Sequence, residues 1–330
     1  MIINTGMRTD IPAFYPLWLA NRLREGFALA RSPYSPETLY RYSLNPEIAD
    51  IIAFCTKNPI PMLPYMSLLE PYGQFWYVTI TPYGRDIEPN VPCKKDIIKA
   101  FRELFLILGK NKKRIGWRYD PVIITDKYTE EVHKESFAEM SAALQGYTDI
   151  CVISFIDLYE KVKRNFPEAR EVPHDTKTRL GKFFAETAGR HGMVLKPCAE
   201  GTEMAAYGAD CGGCLTLAMF EQAIGEKLAV PAGIRGRTAR FVSGTGPDEI
   251  PEKAKQAGCA CHLSADIGAY NSCGHLCRYC YANSSAETVR RNMSAHCPES
   301  PLLTGWPGNG DRIVPAKQES WRTGQPLMFL

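Results

Sequence analysis

The stretch SCGHLCRYCYAN, residues 272–283, carries three cysteines at C-x3-C-x2-C spacing. No other feature restricts the chain so tightly, because three thiols this close in sequence must share one small locus. Cys273, Cys277 and Cys280 can hold three corners of a [4Fe–4S] cube, since thiolate is the ligand such clusters take. The fourth iron then has no protein ligand and is open to a small molecule. Zinc is the competing reading, but zinc pairs usually recur as two C-x2-C units at longer separation. The remaining cysteines point the same way. The chain has twelve; Cys55, Cys93 and Cys151 are scattered through the first half, and the other nine lie between Cys198 and Cys297. The first three read as free thiols. The second group repeats C-x2-C and C-x-C spacings, for which metal is the better explanation than structural disulfides.

That argument assumes a reducing compartment. The opening MIINTGMRTDIP has neither a basic n-region nor a long apolar run, so no secretory signal is expected. No uncharged apolar run is long enough to span a bilayer. A cytoplasmic protein without a membrane partner is the expectation. The formal charge of +3 is too small to argue for nucleic acid by itself. The dense basic runs are 110–114 and 235–240, and such runs are more often solvated faces.

The first two thirds of the chain alternate short apolar runs with longer amphipathic ones. Strands are expected at 2–5, 51–55, 75–81, 114–118, 150–154 and 193–196, where β-branched and aromatic residues gather. Helices are expected at 14–25, 61–69, 94–108, 129–144 and 178–191. Thr129 reads as an N-cap, with Glu130 and Glu131 in the first turn, where acids suit the helix dipole. This alternation argues for parallel βα units and an α/β barrel or partial barrel. Polar residues sit just past the expected strand ends: Asp10, Thr56-Lys57, Arg85-Asp86, Asp120, Asp157 and Glu200. In such folds those loops form the active face. Residues 227–255 read as a long connection, 262–267 as a last strand and 286–293 as a helix. Residues 1–297 are expected to form one domain, with its cysteines concentrated in 198–297. Residues 298–330 read as an irregular tail.

The C-x3-C-x2-C spacing, with Tyr279 before the last cysteine, resembles the signature of radical S-adenosylmethionine (SAM) enzymes. More broadly, CACHLSADIGAYNSCGHLCRYCYAN, with MRTDIPAFY, FCTKNP, TPYGRDIEPN, WRYDP and ISFIDLYEK upstream, closely resembles the family DUF1848, which is grouped with radical SAM proteins. A more distant similarity is to spore photoproduct lyase, a radical SAM enzyme of DNA repair. The resemblance implies that SAM chelates the open iron through its amino and carboxylate groups and is reductively cleaved to a 5′-deoxyadenosyl radical. It also implies a reductant such as a flavodoxin or ferredoxin. By this likeness Asp10 would accept from the SAM ammonium, and Lys57, following Thr56, would pair with its carboxylate. Tyr279 would pack near the adenine. Thr79 and Thr81, alternating along one strand, are candidates to hydrogen-bond SAM, and Arg118 and Asp120 to face SAM or substrate. Glu200 and His275 are weaker candidates.

In a radical SAM barrel the cluster loop follows the first strand. Here it comes near the C-terminal end of the sequence, which implies a circular permutation: the strand before Cys273 would be first in space, with residues 2–5 beside it. The other cysteines imply a second metal site. Cys198, Cys211, Cys214, Cys259 and Cys261 are five candidates for four ligands; the family resemblance favours Cys198, Cys214, Cys259 and Cys261. An auxiliary [4Fe–4S] cluster and a structural zinc remain open alternatives. Cys297 reads as a free thiol. The leading functional expectation is a radical SAM enzyme acting on a small molecule or peptide. The alternatives are repair or modification of nucleic acid and a non-enzymatic iron–sulfur or zinc protein.

Overall fold

The computed structural model describes residues 1–231, 261–262 and 265–327. Its centre is a seven-stranded sheet, every neighbouring pair parallel. In chain order the strands that matter are β1 (Ile2–Asn4), β2 (Phe27–Arg31), β3 (Thr38–Ser43), β4 (Ile51–Thr56), β5 (Gly73–Thr79), β6 (Ile115–Val122), β7 (Ile150–Phe155), β8 (Val194–Pro197), β9 (Glu226–Leu228) and β10 (Ala265–Asp266). The sheet runs β10-β1-β4-β5-β6-β7-β8. Parallel sheets bury both faces, so their strands read as near-continuous apolar runs. β4 (IIAFCT) and β7 (ICVISF) fit that description, and every residue of β5 is buried.

Helices fill the crossovers: α1 (Ile11–Phe14), α2 (Pro16–Glu25), α3 (Lys94–Ile107), α4 (Glu130–Leu144), α5 (Glu160–Asn165), α6 (His174–Arg190), α7 (Leu217–Ile224) and α8 (Ala286–Ser294). Thr129 caps α4 by accepting from Val132 N at 3.3 Å. On the outer face, Trp117 of β6 meets Phe137 of α4 at 4.9 Å between ring centroids, and Phe137 stacks on Phe184 of α6 at 4.4 Å. On the other face Phe75 meets Phe220 of α7 at 5.7 Å. The expected helix over 61–69 is instead a 3-10 segment, Ile60–Leu69, with Pro64 inside it. Proline removes a donor and clashes with the preceding turn, which disfavours a regular α-helix.

The parallel sheet is open among the described residues. β10 pairs only with β1, and β8 only with β7. A closed barrel is therefore not what the structure presents; the partial alternative describes it better. The late strand β10 does lie beside β1, in register Ile3 with Ala265 and Asn4 with Asp266.

Two features depart from the sequence reading. β2 and β3 form an antiparallel pair that the apolar pattern did not reveal. Residues 298–330, expected to be irregular, contribute β11 (Arg312–Pro315) and β12 (Arg322–Pro326). β11 runs parallel to β3, and β12 antiparallel to β9. Trp321 is buried, and its backbone N–H donates to Asp50 at 2.7 Å. The expected connection 227–255 begins inside β9 and then leaves the described residues. No described helix is long and apolar enough to cross a membrane.

Candidate metal centre at the carboxyl edge of the sheet

Ligand sites of open parallel sheets lie beyond the carboxyl ends of the strands. Here those ends bring together the loops after β1, β4, β5 and β10. The cysteine loop follows β10 and is fastened on several sides. Tyr15 OH donates to Ser272 O at 2.5 Å, Asn90 Nδ2 to Gly274 O at 2.8 Å, and Arg278 N to Ile87 O at 3.0 Å. Asn283 Nδ2 closes the loop on itself, donating to Cys273 O at 2.9 Å. Gly274 has no room for a side chain: a Cβ there would lie 2.7 Å from the Phe14 ring and 3.0 Å from Met293. Leu276 takes φ 54°, a left-handed conformation that costs a branched side chain energy and that its surroundings must enforce.

Asp10 joins this loop to the sheet. Its Oδ1 caps α1 by accepting from Ala13 N at 3.1 Å. Its Oδ2 accepts from Lys57 N at 2.7 Å and lies 2.9 Å from His275 Nε2. His275 is buried, and its Nδ1 lies 3.3 Å from Asn90 O. A weak candidate in the sequence, His275 thus stands in the middle of the arrangement.

Lys57 points to a residue the sequence reading passed over. Its Nζ donates to Glu88 Oε1 at 2.8 Å and stands 5.5 Å from the centre of the Tyr279 ring. Glu88 is fully buried as a side chain and also pairs with Lys94 at 2.5 Å. Thr81 Oγ1 donates to Glu88 Oε1 at 2.7 Å, and Tyr279 OH donates to the same oxygen. Burial alone would raise the Glu88 carboxyl; Lys57 and Lys94 outweigh it and hold it at about 2. For Lys57 burial pulls down, but Glu88 and then Cys277 pull its ammonium above the ordinary lysine value. Glu88 lay within the quoted TPYGRDIEPN. The signal that could have found it is the pair of lysines, Lys57 and Lys94, each in need of a counter-charge.

The other candidates fall around this centre. Thr56 is spent locally, accepting from Asn58 N at 2.9 Å. Thr79 is buried and stands in register beside Arg118. Arg118 pairs with Asp120 at 2.5 Å, and Ser154 Oγ donates to the same carboxylate. The Arg118 guanidinium lies 5.4 Å from the Tyr77 ring centre. Cys55, Tyr77 and Gly116 stand in register, and a Cβ on Gly116 would come 2.4 Å from the Tyr77 ring. Glu200 holds the frame by accepting from Phe155 N at 2.9 Å.

Burial is the largest cause raising all three thiols of Cys273, Cys277 and Cys280; the charge of Cys280 adds to it at both Cys273 and Cys277, whereas at Cys280 itself the Ala282 and Asn283 backbone bonds and the nearby Lys161 and Lys57 pull the other way. Ala282 N donates to Cys280 Sγ at 3.4 Å. Among the described residues no three His, Cys, Asp or Glu side chains are already gathered around one point as a group that could hold a metal ion. The donor set nonetheless fits a cationic centre. Buried thiols held near one another ionise only when a positive charge accompanies them, which a bound metal supplies.

Among the described residues the second cysteine group does not surround one point either, but its thiols stand near one another. Cys214 Sγ lies 3.5 Å from Cys198 Sγ and 3.5 Å from Cys261 Sγ. These three and Cys211 line one pocket. Cys259, expected with them, lies outside the described residues. Cys297 donates to Glu299 Oε2 at 3.0 Å.

Fold and site together define an open parallel α/β protein with two groups of cysteines at the carboxyl edge of its sheet. Residues 2–282 match the family described as Domain of unknown function (DUF1848), and the chain belongs to that family. No curated protein matches it, and no solved structure does.

Proposed function

We propose that the loop of Cys273, Cys277 and Cys280 holds a [4Fe–4S] cluster open to SAM at its fourth iron, and that the chain is a radical SAM enzyme. Bound there, the cluster would supply the electron that cleaves the sulfonium carbon–sulfur bond of SAM and so generates a 5′-deoxyadenosyl radical. The observation that carries this reading is the joint position of the three thiols, Asp10, Lys57 and Tyr279 beyond the ends of β1, β4 and β10. On this reading β10 is the first strand of a circularly permuted radical SAM sheet, and β1 is the second.

The chain's own residues divide the remaining work. His275 and the Lys57 backbone N–H bond to Asp10, which thereby fixes the loop against the end of β4. Three of the roughly four acceptor positions of that carboxylate are used, which leaves one for an ammonium. Lys57 keeps two of its three donors beyond the bond to Glu88 and is the cation suited to a carboxylate. Arg118, paired with Asp120, offers a polar surface for substrate. We take the substrate to be a small molecule or a peptide. The basic run at 110–114 is partly neutralised, Lys112 and Lys113 pairing with Asp149 at 3.5 and 3.0 Å. That weakens it as a footprint for a phosphate backbone. The other basic run, 235–240, lies outside the described residues.

The test uses full-length protein purified and reconstituted without oxygen. With dithionite and SAM it is expected to form 5′-deoxyadenosine, and Cys277→Ala is expected to form none. Equal product from both, or none from protein that holds iron and sulfide, would overturn the proposal.

A further inference from the structure

We propose that Cys198, Cys211, Cys214 and Cys261 form a separate four-thiolate site for one zinc-class ion, which ties together the segments flanking the two open edges of the sheet. Two of the thiol separations suit a single ion better than a cluster. With zinc–sulfur bonds of about 2.3 Å, the edge of a tetrahedral four-thiolate site is about 3.8 Å. The 3.5 Å separations of Cys214 from Cys198 and from Cys261 are close to that edge. The thiolates of an iron–sulfur cube bind different irons and stand farther apart.

The local chain suits such a site. Cys211-Gly212-Gly213-Cys214 has the C-x2-C spacing of structural zinc sites. Gly213 takes φ 113°, a conformation that residues with a Cβ rarely adopt, and the two glycines let both thiols face one pocket. Cys211 lines the same pocket, and its thiol is the one we assign as the fourth ligand. Leu215 N donates to Cys261 Sγ at 3.3 Å, the kind of outer bond that orients a metal-bound thiolate. Four thiolates around a divalent ion carry two negative charges in excess, and Arg118 stands near enough to attract Cys198 and Cys214. Binding would release the thiol protons to solvent.

The topology gives the ion its purpose. Cys198 directly follows β8, the last strand at one edge, and Cys261 precedes β10 at the other. Cys211 and Cys214 lie between them in sequence. One ion bound to all four would link the chain that leaves one edge to the chain that enters the other.

The decisive material is the variant Cys273→Ser/Cys277→Ser/Cys280→Ser, which lacks the other thiol group and so separates this proposal from the radical SAM reading. Purified anaerobically, it is expected to hold about one zinc per chain and no acid-labile sulfide. Cobalt(II) titration of the stripped variant should give intense tetrahedral thiolate bands. Adding Cys211→Ser should weaken binding at least about tenfold, and Cys211→His should restore it. Cys297→Ser should change nothing. Stoichiometric iron and sulfide, absence of any bound metal, or unchanged cobalt binding in Cys211→Ser would each overturn the proposal.

Discussion

Glu88 sets the electrostatics of the candidate site, because one buried carboxylate balances two ammonium groups. Removing one partner of a buried ion pair is more damaging than the pair's net worth, since the other charge stays desolvated. Glu88→Gln keeps the size and abolishes the charge. It is expected to cost about 3–5 kcal/mol in urea unfolding; a loss under about 1 kcal/mol would contradict the role given to this residue. His133 supplies a pH signature of its own. It is buried, its Nδ1 lies 2.8 Å from Tyr119 OH, and its Nε2 lies 2.9 Å from Ile123 O. Burial outweighs the bond to Ile123 and lowers it from 6.5 to about 4. The unfolded chain therefore binds the proton first as pH falls. Stability from this group is whole above about pH 6.5 and is lost toward pH 4, by roughly 3 kcal/mol. His133→Gln is expected to flatten that slope, as measured by unfolding at each pH; an unchanged slope would contradict the assignment. At this scale the sequence was legible where chemistry sits in a motif: the cysteines, Asp10 and Lys57 singled out there are residues that the fold gathers at the carboxyl edge of the sheet. Glu88 was not singled out, because its lysines are 31 and 6 residues away and only the fold shows that all three share one buried site.

Among the elements, the parallel strands were readable because burial on both faces leaves little but apolar residues, as in β4 and β7. The β2–β3 pair was hidden because only part of it is buried: FALAR and TLYRYS mix arginines with apolar residues. β12 is exposed at all five positions and exists through pairing with β9, so no apolar period could announce it. The cysteine loop is the element on which the functional reading rests, and its shape depends on Gly274. Gly274→Ala would push a methyl group into Phe14 and Met293. The expected result is folded protein, by circular dichroism, that takes up less than half as much iron on reconstitution. Full iron uptake would show that the loop tolerates displacement.

For the whole molecule, the sequence implied the right class and connectivity but not closure. Alternating βα units led to a parallel sheet, and the late strand was expected beside the first, as β10 and β1 now stand. Whether such a sheet closes depends on shear and on what fills the gap, neither of which a linear pattern encodes. The sheet is open between β8 and β10 among the described residues, and the cysteines flanking those strands are the groups placed to bridge it. The tail was misread for a related reason: its strands pair with β3 and β9, partners that only the assembled fold provides.

The central claim is that the Cys273–Cys280 loop carries a cluster with one iron left for SAM. It is tested most directly by electron paramagnetic resonance of the anaerobically reconstituted, dithionite-reduced protein, recorded before and after SAM is added. The expected result is the signal of a reduced [4Fe–4S] cluster that is absent in Cys277→Ala and that changes its g-values when SAM binds. A cluster signal that SAM leaves unaltered, or one that survives in Cys277→Ala, would contradict the account.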